Sequence, residues 1–156
     1  MDVIQHLWFE RDMDEAVSLY TSLIPNSEIT GGAAVMAESP GGPAGSVRTL
    51  SFTLGGQAYR ALQAGPLDPF NHAFSIMVQC DTQAEIDRLW DALSEGGVVE
   101  QCGWLRDRWG LSWQIVPRRL GELMSDPDPQ VVRRVTEQMM QMVKLDIAPL
   151  EAAARA

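Results

Sequence analysis

Cysteine and histidine are both scarce in this chain of 156 residues, with two of each. Cys80 and Cys102 are too few for a disulfide framework, and their spacing is not that of a CxxC metal site. His6 and His72 leave little imidazole for a metal cluster. Basic residues are also in deficit, with 12 Lys and Arg against 21 Asp and Glu and a formal net charge of -9. The resulting pI near 4.6 argues against a nucleic-acid surface, which needs a basic stripe. It also disfavours contact with an anionic membrane surface. No apolar run approaches the roughly 20 residues of a spanning helix. The opening MDVIQHLWFERD lacks the basic segment and long apolar stretch of a signal peptide. These absences together set the expectation of a reduced cytoplasmic protein.

What is present is an ordinary globular composition, 46% hydrophobic and 21% charged, sufficient for one domain or for two small repeats sharing a core. Residues 3–9 read as a strand, and residues 13–23 as a helix with Met13, Ala16, Val17, Leu19, Tyr20 and Leu23 at helical spacing. Asp12 stands at the N-cap position. Strands are expected at 29–37, 47–54 and 57–63, the last two joined by the hairpin signal Gly55-Gly56. Residues 38–45 form a loop rich in Pro and Gly. The same order then begins again. Residues 73–80 read as a strand, and a helix capped by Asp81 or Thr82 runs to about residue 94. Gly96-Gly97 stops it, and short strands follow around 98–101, 103–107 and 111–116. Two βαβββ modules, residues 1–65 and 70–117, are an internal repeat. The expected fold class is α+β, one 156-residue domain with the paired modules forming a single curved mixed sheet.

Past Pro117 the pattern turns helical, and residues 118–156 form a C-terminal extension. Asp128 caps a helix that starts at Pro129 and continues over 130–143. Val132, Val135, Met139 and Met142 make an apolar stripe on it, and a last short helix follows Asp146. The methionines suit either adaptable core filling or a contact between subunits.

The stretch 101–117, QCGWLRDRWGLSWQIVP, concentrates three of the five tryptophans. Alternation places Leu111, Trp113 and Ile115 on one strand face and Ser112, Gln114 and Val116 on the other. A glutamine in mid-strand needs hydrogen-bond partners, which makes Gln114 the first candidate contact for a ligand. By the same alternation His6 and Trp8 share a face, as do Ser75 and Met77. Gln63 ends its strand, His72 precedes the next, and Trp104 stands near the hairpin. Cys102 reads as a buried structural cysteine, because Arg106, four residues on and on the same strand face, lies too far along the strand to activate it. Arg106, Asp107 and Arg108 read as a cluster that stabilises the hairpin turn.

The segments LWFERDMDEAVSLYTSLIPNSEI, FNHAFSIMVQCDTQAEIDRLWDALSEGG and CGWLRDRWGLSWQIVPRRLGELMSDPD, with 40–66, resemble the PhnB-like branch of the vicinal oxygen chelate superfamily. That superfamily includes glyoxalase I, bleomycin-resistance proteins and extradiol dioxygenases. The branch is often labelled 3-demethylubiquinone-9 3-methyltransferase. The resemblance runs over essentially the whole chain and implies a glyoxalase-like fold and a homodimer. In metal-dependent relatives a His or Glu from each inner strand binds a divalent cation on the concave side of the sheet. The resemblance places Ile4, Ala73 and Gln114 at three of those positions. None of them is a carboxylate or an imidazole, so the expectation is no cofactor and no metal. Recruitment of a divalent metal through His6 or His72 is the alternative. The methyltransferase label implies a Gly-rich turn between a strand and a helix, and the only Gly-rich stretch, residues 41–45, lies in a loop between strands.

Three readings follow. The first is a metal-free protein that binds a small molecule in a concave cavity through His6, Trp8, Gln63, Ser75, Met77, Trp104 and Gln114. The second is an enzyme of lyase, isomerase or dioxygenase type that uses a residual metal or a base, His6 or His72. The third is a structural dimer without a ligand. The fold alone does not choose among them.

Overall fold

The computed structural model describes residues 1–66 and 68–156 and divides into two compact units, Met1–Asp68 and Pro69–Ala156. The first unit runs β1 (Gln5–Phe9), α1 (Met13–Leu23), β2 (Glu28–Ala34), β3 (Arg48–Leu54) and β4 (Gln57–Gln63). Its sheet has the order β1-β4-β3-β2, with β1 parallel to β4 and the other pairs antiparallel. Alternation decides which side is covered. Leu7, Phe9, Leu50, Phe52, Tyr59 and Ala61 are buried on one face, and Met13, Ala16, Val17 and Tyr20 of α1 are buried with them. Gly55 and Gly56 close the β3–β4 hairpin at φ 58° and 82°, the pair of positive angles that a two-residue turn of this kind requires.

The start of α1 differs from the sequence expectation. Asp12 is left-handed at φ 57° and its side chain caps nothing. The first amide of the helix, from Met13, instead donates to Gln63 Oε1 at 3.0 Å. A carboxylate on a residue with positive φ is turned away from the N2 and N3 amides that an N-cap normally serves, and the last residue of β4 takes over the task.

The second unit repeats the pattern with β5 (Ser75–Cys80), α2 (Gln83–Ser94), β6 (Val98–Val99), β7 (Trp104–Arg106) and β8 (Ser112–Pro117). Its sheet has the order β5-β8-β7-β6, with β5 parallel to β8. The two βαβββ modules therefore share one strand order. Each module supplies its own parallel partner for its first strand, so each carries one four-stranded mixed sheet. α2 starts with a complete capping box between Thr82 and Glu85, and buries Ile86, Leu89, Trp90 and Leu93 on the side of Ile76, Leu105, Trp113 and Ile115.

α3 (Arg118–Leu123), α4 (Pro129–Met139) and α5 (Ile147–Arg155) complete this unit around a second small core. Leu120, Leu123, Val135, Leu145 and Leu150 form it, with Val131, Met139 and Met142 packed against them. The stripe expected to meet a second subunit is thus largely used within the chain. α4 also ends before the expected residue 143, because the chain turns at Met140 to bring Met142 onto the same core. Asp128 and Asp146 cap α4 and α5 through the amides of Gln130 and Ala148. Among the described residues, no helix is long and apolar enough to cross a membrane.

Candidate functional site

The Trp-rich stretch folds around one carboxylate. Asp107 is 4% exposed. Its Oδ1 accepts the amides of Trp109 and Leu111 at 3.0 and 3.1 Å, and its Oδ2 accepts the indole N–H of Trp113 at 2.9 Å. These bonds fix the β7–β8 turn and lock Trp113 on the α2 side. Cys102 at φ 58° and Gly103 at φ 82° take the preceding turn, and their amides donate to Met142 and Val143. A Cβ on Gly103 would stand 2.7 Å from the Ile115 carbonyl oxygen, so glycine is required there by both angle and space. Cys102 Sγ lies 3.7 Å from the Met139 carbonyl oxygen, which fits a structural role. Burial, with Glu85 adding to it, pushes the thiol of Cys80 up to about 11, so this cysteine is an inert one.

With Trp113 and its neighbours turned to α2, the opposite face of the second sheet carries the polar set. Register puts Met77, Gln114 and Trp104 in one row across β5, β8 and β7, with Ser75, Ser112 and Arg106 in the next. Gln114 Nε2 donates to Ser75 Oγ at 2.8 Å, which answers what the mid-strand amide faces. Met77 is 52% exposed, whereas Ser112 is fully buried and its Oγ has no hydrogen-bond partner among the described residues. A buried hydroxyl without a partner is uncommon and costs about 1–3 kcal/mol. Ser112 was legible in principle, since it lies two residues before Gln114 in an alternating strand.

At the β6–β7 side of the same unit, Glu100 engages the His72 ring and the Arg106 guanidinium. Its Oε2 lies 2.7 Å from His72 Nε2 and its Oε1 accepts from Arg106 Nε at 2.9 Å. Burial alone would raise the Glu100 carboxyl. The hydrogen bonds from His72 and Arg106, with the charge of Arg106, outweigh that and hold it below its ordinary range. The His72 ring centroid is 6.1 Å from that of Trp104. Of the expected turn cluster, Asp107 does stabilise the hairpin, but Arg106 turns to Glu100, and Arg108 stands over the Trp109 ring at 5.3 Å. Glu100 had no signal in the sequence, because 28 residues separate it from His72.

Ser75, Met77, Trp104 and Gln114 therefore share one sheet face, with His72 beside Trp104. His6 and Trp8 lie in the first unit, on the face of β1 away from Leu7 and Phe9. His6 is exposed, and the Trp8 indole N–H is buried without a partner. Gln63 stands in register with Phe9 on the helix side and serves α1, so it does not join His6 and Trp8. The residues do not fit the divalent metal that the resemblance brings to mind. Ile4 and Ala73 have no side-chain donor atoms, Gln114 offers only a neutral amide oxygen, and no group of three or more His, Cys, Asp or Glu suited to a metal occurs among the described residues.

Residues 1–116 match the family model described as 3-demethylubiquinone-9 3-methyltransferase. Among solved structures the chain is similar to a putative 3-demethylubiquinone-9 3-methyltransferase, a PhnB protein from Bacillus cereus. The two are 29% identical over 75% of this chain and 99% of that one, with a TM-score of 0.64. Protein PA1353 from Pseudomonas aeruginosa is 24% identical over 75% of this chain and 97% of that one, with a TM-score of 0.57. The fosfomycin resistance protein FosX from Listeria monocytogenes shares the fold at 12% identity, over 81% and 98% of the two chains, with a TM-score of 0.57. No curated protein matches.

Proposed function

We propose, since the chain belongs to the 3-demethylubiquinone-9 3-methyltransferase family of glyoxalase-fold proteins, that it binds a small molecule without a metal on the Gln114 face of its second sheet. One observation carries the reading. Gln114 and Ser75 form a hydrogen-bonded polar pair, flanked by the apolar surface of Met77 and Trp104. A few convergent polar groups on an otherwise apolar surface are the usual make-up of a small-molecule site. Methyl transfer from a nucleoside cofactor gains no support from the residues. The glycines at 41–45 lie between β2 and β3, which pair antiparallel, and open no helix. A metal-assisted reaction fits poorly for the reasons of donor chemistry given above.

The test is a compound screen read as thermal stabilisation of the purified chain, preceded by metal analysis. Compounds that stabilise the wild type are then measured against Gln114→Leu. The variant should fold, because shape is roughly kept, and should bind about fivefold more weakly through the loss of about one hydrogen bond, on the order of 1 kcal/mol. Hits indifferent to Gln114→Leu would move the ligand elsewhere. One tightly held metal per chain would put the enzyme reading in first place.

A further inference from the structure

We infer that His72 is a proton acceptor for the ligand of the Gln114 face, that this ligand is a planar, weakly acidic hydroxy compound of the phenol or enol class, and that Glu100 and Arg106 position the imidazole. The inference rests on reading that face as a binding surface. Glu100 fixes the tautomer. A carboxylate only accepts, so in the neutral ring the 2.7 Å contact puts the proton on Nε2 and leaves the lone pair on Nδ1. Nδ1 has no hydrogen-bond partner among the described residues, and the His72 side chain is 54% exposed. Arg106 in turn holds the carboxylate from its other oxygen at 2.9 Å, so Glu100 is set in place and ionised. This is the arrangement of an acid–base group with an orienting partner.

The neighbours set the class of ligand. Trp104 lies beside the imidazole, with the two ring planes tilted by 46°, and offers a flat apolar surface. Gln114 pairs in register with Trp104 and brings an amide to the same row. A flat ring with a polar substituent matches that pair. An imidazole takes a proton near neutral pH only from an acid of comparable strength. A plain alcohol is too weak and a carboxylic acid is already ionised, which leaves phenols and enols. In the step, the ligand O–H bond breaks with its electron pair staying on oxygen, and an N–H bond forms at Nδ1. The imidazolium charge so created faces the Glu100 carboxylate, and no oxidant or further reactant is needed.

The probe is 4-nitrophenol, whose ionised form is coloured, added to the full chain at a pH about one unit below the ionisation midpoint of the free dye. Bound to the wild type, the dye should have an ionised-to-neutral ratio about tenfold above that in solution, a shift of about one pKa unit. His72→Gln should bind the neutral dye but lose the shift, and Glu100→Gln should lose most of it. Nitrogen-15 imidazole spectra should show the Nε2–H tautomer of His72 in the wild type and a mixture of tautomers in Glu100→Gln. A tether that served structure alone would leave the ionisation of the dye unmoved. Failure of the dye to bind, a dye bound with unshifted ionisation, the same shift in His72→Gln, or an Nδ1–H tautomer each overturns the inference. If the unshifted dye still responds to Gln114→Leu, the binding surface survives and only the role of His72 falls. If the whole compound screen is empty, both fall.

Discussion

Asp107 shows how much one side chain can settle. Three N–H groups converge on a carboxylate that is nearly out of water. Asp107→Asn keeps an oxygen for two of them but sets an NH₂ against the Trp113 indole or against the two amides. We expect a loss of about 1–3 kcal/mol, read as a lower denaturant midpoint with an unchanged slope. Gln114→Glu, by contrast, restores the carboxylate of metal-dependent relatives, yet should bind no stoichiometric divalent cation by elemental analysis, because Ile4 and Ala73 offer no donors. At this scale the sequence told which residues share a strand face, since alternation alone puts Gln114 opposite Trp113. It could not tell that Gln63 turns to a helix, because the pull came from an unserved amide 50 residues away.

Helix starts make the same point for elements. Asp128 and Asp146 were legible as caps because side chain and amide are two residues apart. Asp128→Ala should cost about 1 kcal/mol, measured by thermal or chemical unfolding. Gly103→Ala should cost more, since the left-handed angle and the Ile115 carbonyl both oppose a methyl group. The β6–β7 side carries a pH signature. The Glu100 carboxyl sits below its ordinary value in the folded chain, so its contribution is present above the unfolded value and is lost as pH falls through the folded one. The stability difference between wild type and Glu100→Gln should therefore shrink on acidification from about pH 6 to about pH 3, followed by denaturant titration at each pH.

For the whole molecule, the repeat was the most legible feature. Both halves carry the same run of strand, helix and hairpin signals, and both adopt the same strand order. How the ladders divide was not legible, since alternation names the faces of a strand but not its neighbour. The apolar stripe of the C-terminal helix illustrates a related ambiguity. Periodicity marks a surface that will be covered, and here Leu120, Leu145 and Leu150 of the same chain cover much of it. The homodimer expectation therefore rests on the resemblance alone. Sedimentation at micromolar concentration is the check, with Val135→Asp expected to unfold the C-terminal helices rather than to release a monomer.

The contrast between the two helix starts bears on the order in which the halves mature. α2 carries its own start signal within four residues, so it can nucleate before any strand has docked. α1 borrows its signal from the end of β4, and closing a loop of that length must come first. Pulse-labelled hydrogen exchange should find amides of 86–94 protected ahead of those of 16–23. Gln63→Ala should widen the gap, making α1 the late element in a chain whose halves look alike once folded.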